Sequence, residues 1–496
     1  MRKKLLRNTV TSLLLQLVTV ISGFILPRLI LERYGSEVNG LTQSIKQFLG
    51  IITFLELGVG QVIQSNLYKP LAQRDNAKIS GVIKSGAAFF RKIAYALIVY
   101  IIILLAVYPL MIDRPFKWLY TATLILSISI GNLAQYYFGI IDRLLLNADQ
   151  KGYIHHISQI ISVVLNTVIS VIMIRIGGSI QLVMLCSSLI FLLRPLAVRF
   201  YINRHYDIDR KIQYSGEPIK QKWNGIAQHI SAVILDNTDT VVLTLLSTLS
   251  NVSVYSVHFL VISGIKHFYE AATTGVQAAV GNLWAEKDQE KLRTAFSRVE
   301  MALHFVVVFL FSCIGVLIVP FIRVYTDGLT DAEYTQPIFA AILTIAYGIR
   351  CLRTPYNILI LSAGHYKQTQ RCHIIAAALN LCLSVAAVFA WGLVGVAVGT
   401  LIAMIYQTTW MMIYNTKNLL CWPWKRILKQ LAADLVAVAA ILAATCWIKL
   451  SAVNYWGWIK MAVPVALVAL LITALAALIF YGKEIKRVLK DLRQKR

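Results

Sequence analysis

The chain has 496 residues, of which 58% are hydrophobic and only 14% charged, and it carries a formal net charge of +25. Soluble domains are about 45–50% apolar and about 25% charged, so this composition excludes an ordinary soluble protein and indicates an integral membrane protein. The basic residues lie between long apolar runs rather than in one continuous patch, which argues against a nucleic-acid partner.

The first element follows a basic start, MRKKLLRN, and runs directly into apolar sequence. No Ala-x-Ala-like cleavage site interrupts it, so we expect an uncleaved first membrane helix rather than a signal peptide. A crossing needs about 20 mainly apolar residues. Fourteen such segments are predicted, at 8–31, 38–65, 88–112, 118–147, 153–176, 179–202, 223–247, 252–283, 297–322, 336–362, 369–391, 393–416, 427–450 and 459–481.

Polar segments with helical spacing, at 66–87 and 284–298, are expected as helices on the cytoplasmic surface. With the N-terminus inside, the cytoplasmic segments hold 35 Lys and Arg residues and the opposite side holds 8. This bias predicts that both termini are cytoplasmic.

The chain also carries an internal repeat with an offset of 213 to 215 residues. LLLNADQKGYIHHISQIISVVLN at 144–166 resembles ILILSAGHYKQTQRCHIIAAALN at 358–380, and Glu56 corresponds to Glu270. Each repeat holds an even number of helices, so the two halves should be parallel and related by an axis along the membrane normal.

The repeat predicts four regions and an all-α polytopic fold. They are an N-terminal six-helix half at 1–202, a cytoplasmic linker at 203–222, a C-terminal six-helix half at 223–416, and two extra helices with a basic tail at 417–496.

Charged residues inside the predicted spans mark the candidate site, because a charge at a helix centre costs about 2.5–3.5 kcal/mol on insertion scales. We expect them to line a water-filled cavity. The cations are candidates for binding phosphate oxygens, with pairing to a carboxylate as the alternative. They are Lys46, Arg143, Lys266, Arg350 and Arg353, the last two expected on one face of the tenth span.

The carboxylates are candidates for gating or coupling, and helix packing is the equal alternative. They are the repeat-related Glu56 and Glu270, together with Asp236 and Asp239, which share a helix face by spacing. The aspartates could pair with cavity cations, bind a coupling H⁺ or Na⁺, or contact sugar hydroxyls. Polar amides such as Gln43, Asn132, Gln135 and Asn166 could line a sugar path or join helices.

The sequence offers no sign of catalysis. The seven cysteines lie mostly in apolar runs without metal-ligand spacing, so we expect neither disulfides nor a metal. No cofactor is expected, and the Gly-rich phosphate loop of ATP-driven proteins is absent from the sequence. The longest predicted outer segment, RVYTDGLTDAEYTQ, is too short for a catalytic domain, so a glycosyltransferase or polymerase is disfavoured.

Two stretches carry a family resemblance. RYGSEVNGLTQSIKQFLGIITFLELGVGQVIQSNLYKPLAQRD at 33–75 and DNTDTVVLTLLSTLSNVSVYSV at 236–257 resemble the multidrug/oligosaccharidyl-lipid/polysaccharide exporters (the MOP superfamily), and within it the bacterial Wzx-type flippases. The resemblance implies export of an undecaprenyl-(pyro)phosphate-linked oligosaccharide from the inner to the outer leaflet, for surface polysaccharide.

The resemblance further implies a multi-pass protein of the bacterial cytoplasmic membrane that works as a monomer, with membrane lipids and polysaccharide polymerase machinery as partners. A lipid II flippase and a MATE-type antiporter of drug or metabolite cations remain alternatives. Five buried cations favour an anionic substrate over a cationic one.

Overall fold

The computed structural model describes residues 2–56, 59–112, 116–209, 226–286 and 288–494. Their regular structure is helical throughout. Most of the predicted linker at 203–222 lies outside the described residues, so the boundary between the two halves stays a prediction.

The first compact unit comprises Met1–Ser256. Its core consists of fully buried apolar side chains, Leu41, Leu67, Leu97 and Leu145 among them. Its helices are α1 (Arg2–Ile51), α2 (Val59–Gln73), α3 (Asn76–Met111), α4 (Trp118–Ala134), α5 (Ile140–Ala148), α6 (Gly152–Arg175), α7 (Ile180–His205) and α8 (Ile226–Leu246), and α9 (Leu249–Ala285) begins in it.

The second compact unit comprises Val257–Arg496. Phe296, Leu359, Cys372 and Leu420 are among the residues of one of its apolar clusters. After the rest of α9 it contains α10 (Gln289–Tyr325), α11 (Pro337–Leu352), α12 (Thr354–Ser362), α13 (Tyr366–Tyr414), α14 (Trp424–Thr445) and α15 (Tyr455–Gln494).

Eleven helical stretches in the described part of the chain are long and apolar enough to cross a membrane, which confirms a polytopic all-α membrane protein. Two of them, of 51 and 55 residues, exceed one crossing and contain a glycine with positive φ, Gly35 (φ 85) and Gly392 (φ 52). Each glycine lies where the sequence predicts a turn between two spans. The α9 helix, which carries many polar residues, is not among the eleven.

The repeat is visible in the backbone. Gln150 (φ 56) precedes α6 and Gly364 (φ 70) precedes α13, at equivalent positions of the two similar segments. Gly177 (φ 84) and Gly392 (φ 52) likewise occupy corresponding turns. Both repeats therefore place a residue with positive φ at the turns between neighbouring helices.

Helix caps also repeat, and they correct two predicted boundaries. The carboxylate of Asp75 accepts the backbone N–H of Lys78 at 3.0 Å, and Asp288 accepts that of Lys291 at 3.0 Å. Each cap starts its helix well before the apolar run, so α3 and α10 begin at 76 and 289 instead of 88 and 297. The expected surface helices are therefore partly the first turns of these long helices.

Gly40 permits a close approach of α1 to the start of α9. A Cβ atom added there would overlap the carbonyl oxygen of Leu249 at the start of α9. We predict that Gly40→Ala lowers the free energy of unfolding by about 1–3 kcal/mol, because overpacking destabilises a core by this amount. The loss should appear as a lower aggregation temperature of the detergent-solubilised protein.

Gly264 is the matched control, because a Cβ atom there meets nothing within 4 Å. Gly264→Ala should be neutral or slightly stabilising, since Ala is the better helix former. Equal effects of the two substitutions would contradict the assigned contact.

Candidate functional site

A polar cavity of about 480 Å³ lies within the first unit, between α1, α4, α6 and α7. Two cations reach it, Lys46 from α1 and Arg194 from α7. The amide and hydroxyl residues of its wall are Gln43, Asn132, Gln135, Asn166, Ser170, Ser187 and Ser188. The structure thus brings the predicted cation Lys46 together with four amides that the sequence suggested for a sugar path.

Hydrogen bonds between and within helices orient the polar side chains of the cavity wall. Arg194 Nη2 donates to Gln135 Oε1 at 2.7 Å, which fixes the guanidinium at the cavity wall. Within α6, Ser170 Oγ donates to Asn166 Oδ1 at 3.4 Å. Gln135 begins a π-helical segment, Gln135–Gly139, and π segments frequently occur at functional sites.

Arg143 lies next to this cavity. Arg143, Arg194, Gln135 and the buried His155 surround a space of about 10 Å³, and Arg194 and Gln135 line both spaces. By sequence, Arg194 falls inside the predicted span 179–202 but was counted among the 35 cytoplasmic cations. Its apolar surroundings, IFLLRPLAV, were the signal that could have identified it.

In the second unit, two predicted cations converge on one aromatic ring. Lys266 Nζ lies 5.9 Å and Arg350 Cζ 5.8 Å from the centre of the Tyr347 ring. Glu270 follows Lys266 by one helical turn, and its carboxylate lies 3.5 Å from His267 Nδ1. This cluster combines two cations, a carboxylate and an aromatic surface on α9 and α11.

The expectation that Arg350 and Arg353 share a helix face stays a prediction. Arg353 keeps helical backbone angles (φ −69, ψ −23), and its N–H donates to the carbonyl oxygen of Ile349 at 3.2 Å. Helix α11 ends at Leu352 and α12 begins at Thr354, so Arg353 stands at the junction between two helices. Pro355 explains the break, because proline lacks the backbone N–H that a continuous helix requires.

The predicted carboxylates have different environments. Glu56 accepts a hydrogen bond from Tyr136 at 2.9 Å, and Asp239 accepts one from Tyr255 at 2.9 Å. Asp239 is buried but Asp236 is exposed, so the two aspartates do not share one environment as their spacing suggests. Asp236 instead accepts, through its backbone oxygen, a hydrogen bond from Gln47 at 3.0 Å.

A buried titratable network, mostly unforeseen from the sequence, joins the last two helices, α14 and α15, to α10 within the second unit. His304 of α10 lies 2.7 Å from Asp434 of α14, and Gln430 donates to the second oxygen of Asp434 at 3.0 Å. Tyr481 of α15 donates to Gln430 in turn. Of these residues, Asp434 is the one expected as a membrane-embedded charge, inside the predicted span 427–450.

The same network continues towards the N-terminal end of α14. Tyr356 donates to Glu300 at 2.5 Å, and Arg426 Nε lies 3.8 Å from the other oxygen of Glu300. Arg426 also stacks 4.0 Å from the Trp422 ring. Glu300 and His304 are one turn apart on α10, and that spacing was the sequence signal for the pair.

A smaller ionic cluster fastens the turn between α5 and α6. Lys151 Nζ lies 2.7 Å from Asp149, and Tyr206 donates to the same carboxylate at 2.5 Å. Burial raises the pKa of Asp149, but these hydrogen bonds and the charges of Lys151 and Lys4 outweigh it, so the pKa lies below its usual value. The carboxylate therefore stays ionised and holds the turn.

The described residues contain no group of three or more His, Cys, Asp or Glu side chains that could hold a metal ion. Chemically, the cavity of the first unit is suited to an anion with hydroxyl groups: two cations can meet phosphate oxygens, and amides can meet sugar hydroxyls.

No protein-family model and no curated protein matches the sequence of the chain. Solved structures do match. One is the lipid II flippase MurJ in an inward closed conformation, with a TM-score of 0.71 and 15% identity, covering 96% of this chain and 99% of that one. The chain has the fold of MOP-superfamily transporters.

Two further structures with the MOP fold extend over less of the chain. An inward-facing MATE multidrug transporter matches with a TM-score of 0.60 and 14% identity, over 81% of this chain and 95% of that one. A MOP-superfamily transporter from Pyrococcus furiosus, described as having reversed polarity of its binding pocket, matches with a TM-score of 0.57 and 14% identity. The match covers 83% of this chain and 95% of that one. At such identities the likeness establishes the MOP fold alone.

The His304–Asp434 pair yields a stability prediction. Removing one member of a buried, hydrogen-bonded pair leaves the other uncompensated, so Asp434→Ala should destabilise the protein by about 3–5 kcal/mol. The double variant His304→Leu/Asp434→Leu replaces both polar groups with apolar ones and should recover much of that loss.

Unfolding temperatures of the wild type, His304→Leu, Asp434→Leu and the double variant His304→Leu/Asp434→Leu form a double-mutant cycle. Additive losses in the double variant would show that the two side chains contribute independently, contrary to the observed pairing.

Proposed function

We propose that the protein is a flippase that moves an undecaprenyl-(pyro)phosphate-linked oligosaccharide from the cytoplasmic to the outer leaflet of a bacterial cell membrane, for surface polysaccharide export. The observation that carries the proposal is the cavity of the first unit, which presents Lys46 and Arg194 among amide and hydroxyl side chains, between apolar helices.

The chemistry of the cavity matches the head of such a lipid. A phosphate that leaves water needs charged donors, and an Arg fork can contact two of its oxygens. Sugar hydroxyls both donate and accept, as do the side-chain amides of Gln43, Asn132 and Asn166. In the second unit, Lys266 and Arg350 are a second candidate pair for the phosphate, and Glu270 beside them could hold a coupling H⁺ or Na⁺.

The polyprenyl tail does not need to cross a polar region. Each buried CH₂ group is worth about 0.8 kcal/mol in lipid, so the tail is stable where it is and only the polar head must be carried. Alternating access in a repeat protein exposes one site first to one side and then to the other. An enzyme that transforms the glycan is not required for this step.

A lipid II flippase is the second candidate. The specific observation in its favour is that the similarity to MurJ, a lipid II flippase, extends over 96% of the chain. The match to the MATE transporter covers 81% of the chain, and the match to the Pyrococcus furiosus transporter covers 83%. The two candidates share a polyprenyl diphosphate and differ in the attached sugar and peptide. A cation antiporter is disfavoured, because positively charged side chains repel its substrate.

The deciding experiment uses cells that synthesise a lipid-linked oligosaccharide and lack this protein. The intermediate on each leaflet is quantified, and rescue is attempted with the wild type, Arg350→Ala and Asp239→Ala. We expect the intermediate to accumulate on the inner leaflet of the deletion strain. The wild-type protein should restore its transfer, whereas at least one of the two variants should not, although it is present in the membrane at normal levels. Normal crossing in the deletion strain would contradict the proposal for that glycan, and accumulation of lipid II would support the second candidate.

The cavity cations yield a sharper prediction. A hydrogen bond to a charged group contributes about 1.5–3 kcal/mol, so Lys46→Ala and Arg194→Ala should each reduce export by about 10- to 100-fold. Lys46→Arg should retain most of the activity, because the charge remains. Export is measured as surface polysaccharide at matched protein levels.

Arg175→Gln is the matched control. Arg175 is an exposed cation at the end of α6 and does not line the cavity. If its loss reduced export as much as the loss of Arg194, general charge rather than the cavity would explain the effect.

A further inference from the structure

A second basic cavity, of about 370 Å³, lies elsewhere in the first unit, between α3, the π segment, α5 and α7. It shares no lining residue with the cavity of Lys46 and Arg194. Its cations are Lys84 and Arg91 from α3 and Arg199 from α7. The function proposed above does not use it.

Both arginines of this second cavity are held by aromatic rings. The guanidinium of Arg91 lies 5.5 Å from the Tyr137 ring centre, and that of Arg199 lies 5.5 Å from the Phe138 ring centre. In the described part of the chain, neither has a carboxylate oxygen within 4.0 Å. Stacking orients a guanidinium while leaving its N–H groups available to an anion.

The formal charge of the wall is positive. Asp142 is the acidic residue in the wall; it is 5% exposed, and its Oδ2 has no hydrogen-bond partner among the described residues. Arg91 and Arg199 against this one carboxylate leave these three residues with a formal charge of +1. A phosphate ester, which carries one or two negative charges, would compensate it.

Apolar stripes lead away from the cavity on both flanking helices. On α3, Arg91 is followed at helical spacing by exposed Tyr95, Ile98 and Ile102. On α7, exposed Leu196, Leu193 and Leu189 precede Arg199 at the same spacing. The charged cavity therefore adjoins surfaces that acyl chains can cover.

We propose that this cavity binds the phosphate head of an anionic glycerophospholipid, with the acyl chains lying along the stripes of α3 and α7. Basic pockets between membrane helices bind anionic lipid heads in this way. Arg91 and Arg199 contact the phosphate, and the bound lipid bridges α3 to α7. This inference is independent of what the protein transports.

The test uses the purified full-length protein in detergent with added phosphatidylglycerol or phosphatidylcholine. We expect phosphatidylglycerol to raise the unfolding temperature in a saturable manner and phosphatidylcholine to have little effect. Arg91→Gln and Arg199→Gln should each weaken the apparent affinity for phosphatidylglycerol about tenfold. Native mass spectrometry should show one retained phosphatidylglycerol in the wild type and a reduced share in both variants.

Lys92→Gln is the matched control, because Lys92 is the exposed neighbour of Arg91 and does not line the cavity. It should bind phosphatidylglycerol as the wild type does. Arg91→Lys keeps the charge and controls for a folding defect caused by substitution at this position. It should bind phosphatidylglycerol better than Arg91→Gln does.

Four outcomes would overturn the proposal. They are equal effects of the two lipids, equal losses in Lys92→Gln and Arg91→Gln, an equal thermal shift from free glycerol phosphate, and displacement of phosphatidylglycerol by undecaprenyl phosphate at equal concentration. The third would indicate a site for soluble phosphate, and the fourth would make the cavity part of the substrate path.

Discussion

The structure depends above all on the free energy required to take a polar group out of water. In hydrocarbon, backbone groups must be satisfied within the helices, and a charged side chain needs a partner or a wet cavity. Polar side chains are accordingly paired across helices: Asn39 donates to Ser253 at 2.8 Å, and Tyr108 donates to Ser44 at 2.6 Å. Such pairs join α1 to α9 and to α3 where apolar packing alone would not specify a register.

Two classes of embedded charge follow from this constraint. In the His304–Asp434 network each polar group faces a side chain of another helix, so the charges contribute to the attachment of α14 and α15. Lys46 and Arg194 instead border open space. The first arrangement holds helices together and leaves little room for a ligand, whereas the second leaves donors available. Burial and the presence of a cavity therefore separate structural from functional charges, where residue type alone does not.

The fold was largely predictable from the sequence, because hydropathy and turn glycines are local signals: Gly35 and Gly392 separate spans as expected. The site was predictable only in part. Lys46 was identified because it lies in the middle of an apolar run. Arg194 was missed because it was assigned to the cytoplasmic side with the cations that follow it, although it is an interior residue of α7. The change of helix at Arg353 was not expected inside the predicted span 336–362, although Pro355 was a local signal for it. Which cavity a side chain reaches depends on helix rotation, and the sequence does not specify that rotation.

The π segment Gln135–Gly139 has a consequence for how such chains diverge. One residue turns an α-helix by about 100°, so the extra residue of a π turn sets the angular phase of everything that follows, including Asp142 and Arg143. Gln135 contributes to one cavity, and Tyr136 and the two residues after it contribute to the other. Insertion or deletion of a single residue here would rotate all the following side chains about the helix axis without changing their identity. The chemistry of the cavities is thus encoded in chain length as well as in residue identity.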